Sequence, residues 1–297
     1  MRETMACALP FFLSGVLFIT GIFAVFAPVP LLLLSGHKDR KRLWLAVVIN
    51  SAVVLIAGGR TSLVFFGIFV LTMAISLPVF LRRCRSVERA AACTLLAMAA
   101  GWLLMAVSYA VVYKANPVTG AREQVARLVD YLSQSVSSEM RSQISSGADL
   151  EEWKKSLITE VPSAIAVFSL VLVWTSIVIM IRLDIGRIRE RFKISDEYLR
   201  RWKAPEYLVW PTIASGVLLL FKAGAATDVA TNIFKFLMAV YAIQGVSVLS
   251  HAFEVWNIRG LLRSIGYLLA VFIMMPLLLG LGFFDLWFDF RGKIRQT

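Results

Sequence analysis

Long apolar runs recur along the whole chain, and they constrain its fold more than any other feature. A helix of about 20 apolar residues crosses a hydrocarbon core about 30 Å thick. About eight runs reach or approach this length, and 59% of the 297 residues are hydrophobic against 17% charged. We therefore predict an all-α fold, a polytopic transmembrane helical bundle of about eight spans that forms a single integral membrane domain over residues 1–297. The runs cover residues 10–34, 43–57, 63–81, 90–113, 161–181, 207–221, 230–250 and 261–284.

Three of these runs are irregular. The runs 43–57 and 207–221 are short for a full crossing. The first run contains "FAPVPLLLLSG", in which Pro28 and Pro30 lack backbone donors, so we expect a kink or a break there. This run is longer than the core of a signal peptide and has no suitable cleavage site, which argues against a cleaved signal.

The positive charges of the chain are clustered between the apolar runs. Of the 31 Lys and Arg residues, 18 lie in the blocks 37–42, 82–89 and 182–203 or at Arg259 and Arg263. Short basic loops favour the cytoplasmic side of a membrane. We therefore place these blocks inside and both termini outside. We interpret the net charge of +12 as a topology signal rather than as a nucleic-acid-binding surface.

Two loops are larger than simple linkers. In residues 114–160 apolar positions recur at steps of three or four, and Asp149 can cap a second helix, so we predict an extracytoplasmic amphipathic helical hairpin. Such a hairpin either lies in the outer interface or forms a lid over a cavity between the helices. Residues 182–206 are predicted to form a basic cytoplasmic loop. Its aromatic and Arg side chains suit anionic lipid at the cytoplasmic face, or a docked membrane or cytoplasmic protein.

Polar side chains inside the apolar runs are the candidate functional or structural residues, because each is costly in hydrocarbon. Asn50 and Gln244 are amides within predicted spans, and Lys235 is close enough to a predicted helix end to reach water. His251 and Glu254 are three residues apart. They either share a helix face as a metal or proton pair or simply form a polar helix end. No further ligands cluster near them in the sequence, so we expect no metal and no cofactor.

The segment "GLGFFDLWFDFRGK" at residues 280–293 places two carboxylates and an arginine among five aromatic rings at a predicted membrane boundary. If the last helix continues through it, Asp285 and Asp289 lie on one face. A carboxylate at this depth needs water, a positive partner or backbone donors. We expect Asp285 to turn inward to such a partner, and Asp289 and Arg291 to lie at the surface and fix the depth of the helix. Direct binding of a ligand or a cation is the alternative.

Common catalytic signatures are absent from the sequence. There is no G-x-x-x-x-G-K-[ST] phosphate loop, no H-E-x-x-H and no G-x-S-x-G. Cys7, Cys84 and Cys93 form no C-x-x-C pair. We therefore expect neither an enzyme nor a disulfide framework.

Four stretches of the sequence resemble a known family. They are "PVPLLLL" near the start, "PEYLVWPTIASG" at 205–216, "VYAIQGVSVLSH" at 240–251 and "GLGFFDLWFDFR" at 280–291, and they are similar to the YybS-like family of predicted bacterial inner-membrane proteins. That family is distantly similar to the substrate-binding S components of energy-coupling-factor transporters. The resemblance implies a multi-pass protein of the bacterial inner membrane, built as a helical bundle with a cavity that opens outward.

Two functions are consistent with these observations. The first is a non-enzymatic subunit that binds or transports a small molecule, which the resemblance to S components and the intramembrane amides favour. The second is a membrane scaffold or assembly factor for envelope proteins, which the basic loop and the lack of a clear ionisable relay favour. A membrane-embedded enzyme ranks third. In each case the lipid bilayer is the expected partner, and nucleic acid is not.

Overall fold

The fold is helical throughout the part of the chain that the structure describes. The structure, a computed structural model, describes residues 10–35, 40–117, 119–120, 123–124, 126–127, 147–185, 187–192, 194, 197–221 and 224–294. These residues form no strand, which confirms the predicted all-α membrane class. The helices are α1 (Pro10–Ile19), α2 (Val29–Ser35), α3 (Arg40–Phe66), α4 (Thr72–Arg83), α5 (Val87–Tyr113), α6 (Gly147–Arg182), α7 (Ile188–Phe192), α8 (Tyr198–Arg201), α9 (Val209–Leu220), α10 (Ala225–Val255), α11 (Gly260–Phe272), α12 (Met275–Phe288) and α13 (Phe290–Ile294). A π-helical turn, Gly67–Leu71, joins α3 to α4, and two 3₁₀ turns lie at Ala24–Phe26 and Glu206–Leu208.

Fewer helices have the length of a membrane span than the apolar runs predict. Among the described residues, four helical stretches are long and apolar enough to cross a membrane: Lys41–Arg83, Val87–Tyr113, Ser156–Arg182 and Ala225–Val255. The pair of α11 and α12 makes a fifth only if it is counted as one broken span. By length and composition the number is thus four or five rather than about eight, with Lys41–Arg83 counted once although it contains two of the predicted runs.

The second and third apolar runs join into one helical stretch that folds back on itself. A straight helix over the 43 residues of Lys41–Arg83 would be about 65 Å long. However, Arg82 Nη2 donates a hydrogen bond to the carbonyl oxygen of Ser35 at 3.4 Å, so the end of the stretch lies near its beginning. Gly59 has non-helical dihedrals (φ 75°, ψ −173°) that a residue with a Cβ rarely adopts. The chain therefore reverses at Gly59, and the two runs are the halves of a helical hairpin.

The first apolar run is broken, as its prolines predict, and the interruption covers residues 20–28 and ends at Pro28. α1 ends at Ile19 and Gly21 takes a left-handed conformation (φ 69°). Pro30 is instead the second residue of α2, a position where the missing N–H has no intrahelical acceptor to lose. The run thus forms helices of 10 and 7 residues, each too short to span a membrane.

The sixth and eighth apolar runs also form short helices. α9 has 12 residues and is therefore about 18 Å long. α11 and α12 have 13 and 14 residues, and their axes differ by 92°. The bend lies at Met274, whose backbone is not helical (φ −105°, ψ 26°). Pro276 follows in the first turn of α12 and cannot continue the hydrogen bonds of α11.

The predicted hairpin of the central loop lies largely outside the described residues. Positions 128–146 and the side chain of Trp153 are outside the described residues. So are residues 1–9, and residues 36–39, which overlap the first basic block. The second predicted helix of the hairpin is the first part of α6. That helix runs unbroken for 36 residues from Gly147 into the membrane span.

The chain divides into two compact units. The first comprises residues 1–101, 168–209 and 237–297, and the second comprises residues 102–167 and 210–236. All seven candidate site residues belong to the first unit.

In the second unit, two polar side chains of α10 hold it to α6. The amide of Asn232 donates to the carbonyl oxygen of Thr159 at 3.0 Å and accepts from the backbone N–H of Ser163 at 2.7 Å. Lys235 forms an ion pair with Glu160 at 2.6 Å. Lys235, which we expected to extend to water, thus has a carboxylate partner on the neighbouring helix.

Candidate functional site

A short segment of the first unit, whose second half is not helical, is the common partner of most of the candidate residues. We call residues 198–204 the strap. Its first residues form α8, and the chain then becomes extended at Trp202 (φ −60°, ψ 131°). Pro205 keeps the helix from resuming, because it disfavours a helical conformation at Ala204. Trp202 and Ala204 are buried. The buried backbone of the strap therefore needs hydrogen-bond partners outside the strap.

Two side chains of α10 supply partners for the strap backbone. Gln244 accepts a hydrogen bond from the backbone N–H of Ala204 through its Oε1 at 2.9 Å. The hydroxyl of Ser247 lies 2.9 Å from the carbonyl oxygen of Leu199 and 3.0 Å from that of Arg200. Gln244 and Ser247 are both buried and lie three residues apart on one face of α10.

Arg291 supplies the remaining donors to the strap. Its Nη1 donates to the carbonyl oxygens of Trp202 at 3.0 Å and Arg200 at 3.4 Å, and its Nη2 donates to Asp285 Oδ2. Arg291 is 7% exposed and Asp285 is 0% exposed. The expectation that Asp285 turns inward to a positive partner is therefore met. The expectation that Arg291 lies at the surface is wrong, because its guanidinium is needed by buried strap carbonyls.

A break in the last helix makes the pairing of Asp285 with Arg291 possible. Residues six apart on a straight helix point in directions about 120° apart and do not meet. α12 ends at Phe288, and Asp289 takes a left-handed conformation (φ 43°, ψ 58°). The chain then turns into α13 and carries Arg291 back to Asp285. The condition under which Asp285 and Asp289 share a helix face, a helix that continues through both, is therefore not met.

Asp285 orients the two side chains that hold the strap. Its Oδ2 accepts hydrogen bonds from Gln244 Nε2 at 3.1 Å and from Arg291 Nη2. The bond from Gln244 Nε2 orients the side-chain amide of Gln244 so that its oxygen faces the backbone N–H of Ala204. Two buried polar atoms of this cluster, Asp285 Oδ1 and Arg291 Nε, have no hydrogen-bond partner. The hydrogen-bonding capacity of these two buried atoms is therefore unused.

Two glycines allow the helices that carry this cluster to touch. A Cβ atom built on Gly245 of α10 would lie 2.1 Å from the carbonyl oxygen of Leu278, and one built on Gly282 of α12 would lie 1.8 Å from that of Tyr241. Backbone thus packs directly on backbone at this crossing. The close approach brings Gln244 within reach of Asp285.

Two further candidates pair with basic residues of the strap near the surface. Asp289 is 3.3 Å from Lys203. Glu254 is 2.7 Å from Arg200 and 3.5 Å from Arg263. Glu254 is therefore engaged by two arginines and not poised to bind a metal with His251. Among the described residues, no group of three or more His, Cys, Asp or Glu could hold a metal ion.

The start of the strap is held by contacts with other helices of the first unit. The hydroxyl of Tyr198 donates to Glu88 of α5 at 2.5 Å, and the ring of Trp202 packs on Trp174 of α6 with centroids 4.6 Å apart. Burial, and then the hydrogen bond to Glu88, raise the pKa of Tyr198 above its usual value. Tyr198 thus stays a neutral donor to Glu88.

Asn50 lies apart from the strap and has a structural role. It is fully buried, and its Nδ2 donates to the carbonyl oxygens of Phe11 and Ala46 at 2.7 and 2.8 Å. Its Oδ1 accepts from the backbone N–H of Gly15 at 2.6 Å. Asn50 thus links α3 to α1 through the two bonds to Phe11 and Gly15, and the third bond stays within α3.

Sequence reasoning found the polar side chains of this site but missed what they bind. The strap reads as part of a basic loop, and nothing in its own composition indicates burial beyond Trp202 and Ala204. One available signal is the pattern of a glycine directly after a buried amide, as in Gln244 and Gly245, because a glycine there lets a second helix approach the amide.

The chain was compared with known proteins. No curated protein and no solved structure matches it. A family model described as "Predicted membrane protein (DUF2232)" matches residues 6–286, nearly the whole chain. The chain therefore belongs to the DUF2232 family of predicted membrane proteins.

Proposed function

We propose that this chain is a non-enzymatic subunit of the bacterial inner membrane that binds or transports a small polar solute, with the strap as its cytoplasmic cover. The observation that carries the proposal is the buried pair of Asp285 and Arg291, in which Arg291 bonds the non-helical part of the strap at Trp202. Ionisable residues within membrane helices mark solute paths. Irregular backbone at this depth is tolerated where it is buried in protein or lines a cavity.

The broken helix pair adds support. In many transporters the solute site is built where a membrane helix is interrupted, and Asp285 lies on the second half of the bent pair formed by α11 and α12. The resemblance to S components of energy-coupling-factor transporters points to the same class of function.

The chemistry of the unpartnered atoms narrows the kind of solute. Asp285 Oδ1 is an acceptor and Arg291 Nε is a donor, and both are buried. A solute that satisfies both needs one donor and one acceptor close together, as in an amide or a hydroxylated ring. Such a solute completes the cluster without changing its net charge.

The test is a thermal-stability screen of the purified protein against small polar solutes. A solute at a hundred times its Kd raises the free energy of unfolding by about 2.7 kcal/mol. We expect the hit to stabilise the wild type and Asp289→Asn, the control variant with an altered surface carboxylate. Arg291→Lys keeps a positive charge beside Asp285 but removes the Nε donor, so the shift is expected to disappear. If the solute stabilises Arg291→Lys as much as the wild type, the solute does not bind at this site.

The alternative function is a membrane scaffold or assembly factor. It is favoured by the fact that Gln244, Asp285 and Arg291 already have partners within the chain, which suits a structural role. Co-purification separates the two functions. A stoichiometric envelope protein that elutes with the wild type, with no stabilising solute found, favours the scaffold.

A further inference from the structure

A cavity in the first unit lies where two basic segments of the chain meet. Its floor is apolar and includes Pro78, Leu81, Met180 and Ile188, and its rim carries the side chains of Arg82 and Arg191. Leu81, Met180 and Ile188 are buried and Pro78 is half-buried, while the two arginines are exposed. The cavity therefore combines an apolar surface with two positive charges on one side.

The position of this cavity is the boundary of the membrane. The candidate span Lys41–Arg83 ends beside it, and so does the span Ser156–Arg182. Leu81 and Met180 lie in the last turns of these spans and form part of the floor. The floor is therefore at the depth of acyl chains and glycerol, and the two guanidinium groups are at the depth of lipid headgroups.

Both arginines retain free donor capacity. Arg82 Nη2 donates to the carbonyl oxygen of Ser35 at 3.4 Å, and Arg191 Nη2 donates to the carbonyl oxygen of Arg82. A guanidinium carries five N–H groups in a planar fork that matches phosphate oxygens. None of the described residues that line the cavity is acidic. The two positive charges are thus not neutralised within the cavity.

We propose that this cavity binds one anionic glycerophospholipid. Its phosphate is held by the forks of Arg82 and Arg191, and its glycerol and first acyl carbons lie on Pro78, Leu81 and Ile188. The apolar floor selects a lipid over a free phosphate ester, because a free ester leaves the floor in contact with water. This site shares no residue with the strap cluster, and the proposal does not depend on the proposed solute function.

The test compares lipid retention by the full chain in nanodiscs of phosphatidylcholine with a small share of phosphatidylglycerol. Native mass spectrometry counts the phosphatidylglycerol molecules that stay bound, and a titration gives the affinity. The variant is Arg82→Gln with Arg191→Gln. The matched control is Arg83→Gln with Arg85→Gln, which removes the same charge from exposed neighbours that do not line the cavity.

We expect the wild type and the control to retain one phosphatidylglycerol with affinities within about twofold. We expect the cavity variant to bind about thirtyfold more weakly, since each arginine near an anionic headgroup contributes about fivefold. An equal loss in the control would show diffuse attraction and overturn the proposal. Displacement of the lipid by glycerol 3-phosphate at similar concentration would also overturn it, in favour of a soluble phosphate ester. If the double variant does not fold, the same measurement is made on Arg82→Gln and on Arg191→Gln separately.

Discussion

At the scale of single residues, three buried polar side chains of the first unit bind backbone atoms. Asn50 bonds three backbone groups, Arg291 bonds two strap carbonyls, and Gln244 bonds the N–H of Ala204. A polar side chain in a membrane helix is costly when unpaired. Here each one replaces the water that a non-helical or crossing backbone would otherwise require, so its cost is offset by the group it satisfies.

The first prediction concerns the charge of Asp285. Asp285→Asn leaves the guanidinium of Arg291 buried without a counter-ion. Loss of one partner of a buried ion pair destabilises a protein by about 3–5 kcal/mol. We expect a large drop in the thermal unfolding temperature of the detergent-solubilised variant, and a lower yield of folded protein.

Asp289→Asn is the matched control for this prediction. Asp289 is 62% exposed in its side chain and pairs with Lys203, so the loss of its charge costs about 0–1 kcal/mol. Asn also tolerates the left-handed conformation of this position. If Asp289→Asn proves as destabilising as Asp285→Asn, the assignment of the buried pair as the anchor is incorrect.

The behaviour of Asp285 could be predicted from the sequence, and that of Arg291 could not. A carboxylate at a membrane boundary must find a partner, whatever the fold. The burial of Arg291 depends on the left-handed turn at Asp289, and Asp adopts that conformation only when its surroundings favour it. Those surroundings are the strap carbonyls, which come from residues about 90 positions earlier.

At the scale of elements, the contact between α10 and α12 depends on the absence of two side chains. Gly245 and Gly282 let backbone meet backbone, and the T-shaped pair of Tyr241 with Phe283, with centroids 5.1 Å apart, borders the crossing. This crossing sets the distance between Gln244 and Asp285. The crossing therefore positions the strap indirectly. The glycines set the position of Gln244, and Gln244 in turn bonds the strap.

The second prediction tests this crossing. In Gly282→Ala the new Cβ would lie 1.8 Å from the carbonyl oxygen of Tyr241, so the two backbones must move apart. Overpacking of this kind costs about 1–3 kcal/mol. We expect a lower unfolding temperature and faster proteolysis within the strap.

Gly280→Ala provides a control on the same helix. A Cβ at Gly280 meets no atom within 4 Å, and alanine favours a helix over glycine by about 1 kcal/mol. This variant should be neutral or slightly more stable. A Gly282→Ala protein as stable as Gly280→Ala would contradict the close crossing.

The helices themselves were predictable from apolar runs, but their interruptions were predictable only in part. Pro28 and Pro30 correctly indicated a break in the first run. Gly59 lay in a turn between two predicted spans, and it does reverse the chain. The bend at Met274 was missed, because the apolar run continues through it and Pro276 alone also suits a kinked helix.

At the scale of the whole chain, the structure corrects one part of the predicted topology. We placed residues 182–203 inside and the last residues outside. Arg291 and Asp289 instead contact Trp202 and Lys203, so the two segments lie on the same side. The reason is that the eighth run bends by 92° and does not cross as one straight helix.

The third prediction is a labelling experiment on this topology. We expect single cysteines at positions 86 and 294 to react with an impermeant reagent in inside-out vesicles and not in intact cells, since short basic loops stay in the cytoplasm. The native cysteines are replaced beforehand. A cysteine at position 115, beyond the far end of α5, should show the opposite pattern. If positions 294 and 115 are labelled under the same conditions, the topology predicted from the sequence is right and the corrected one is wrong.

The strap also imposes an order on the assembly of the protein. Ala204 precedes its partner Gln244 by 40 residues, and Trp202 precedes Arg291 by 89 residues. At about 5–20 residues per second, synthesis takes several seconds to cover the second interval. During that time the carbonyl oxygen of Trp202 lacks the donor that Arg291 supplies in the final fold. Closure of this part of the fold therefore waits for the synthesis of Arg291, whatever the earlier helices have already formed.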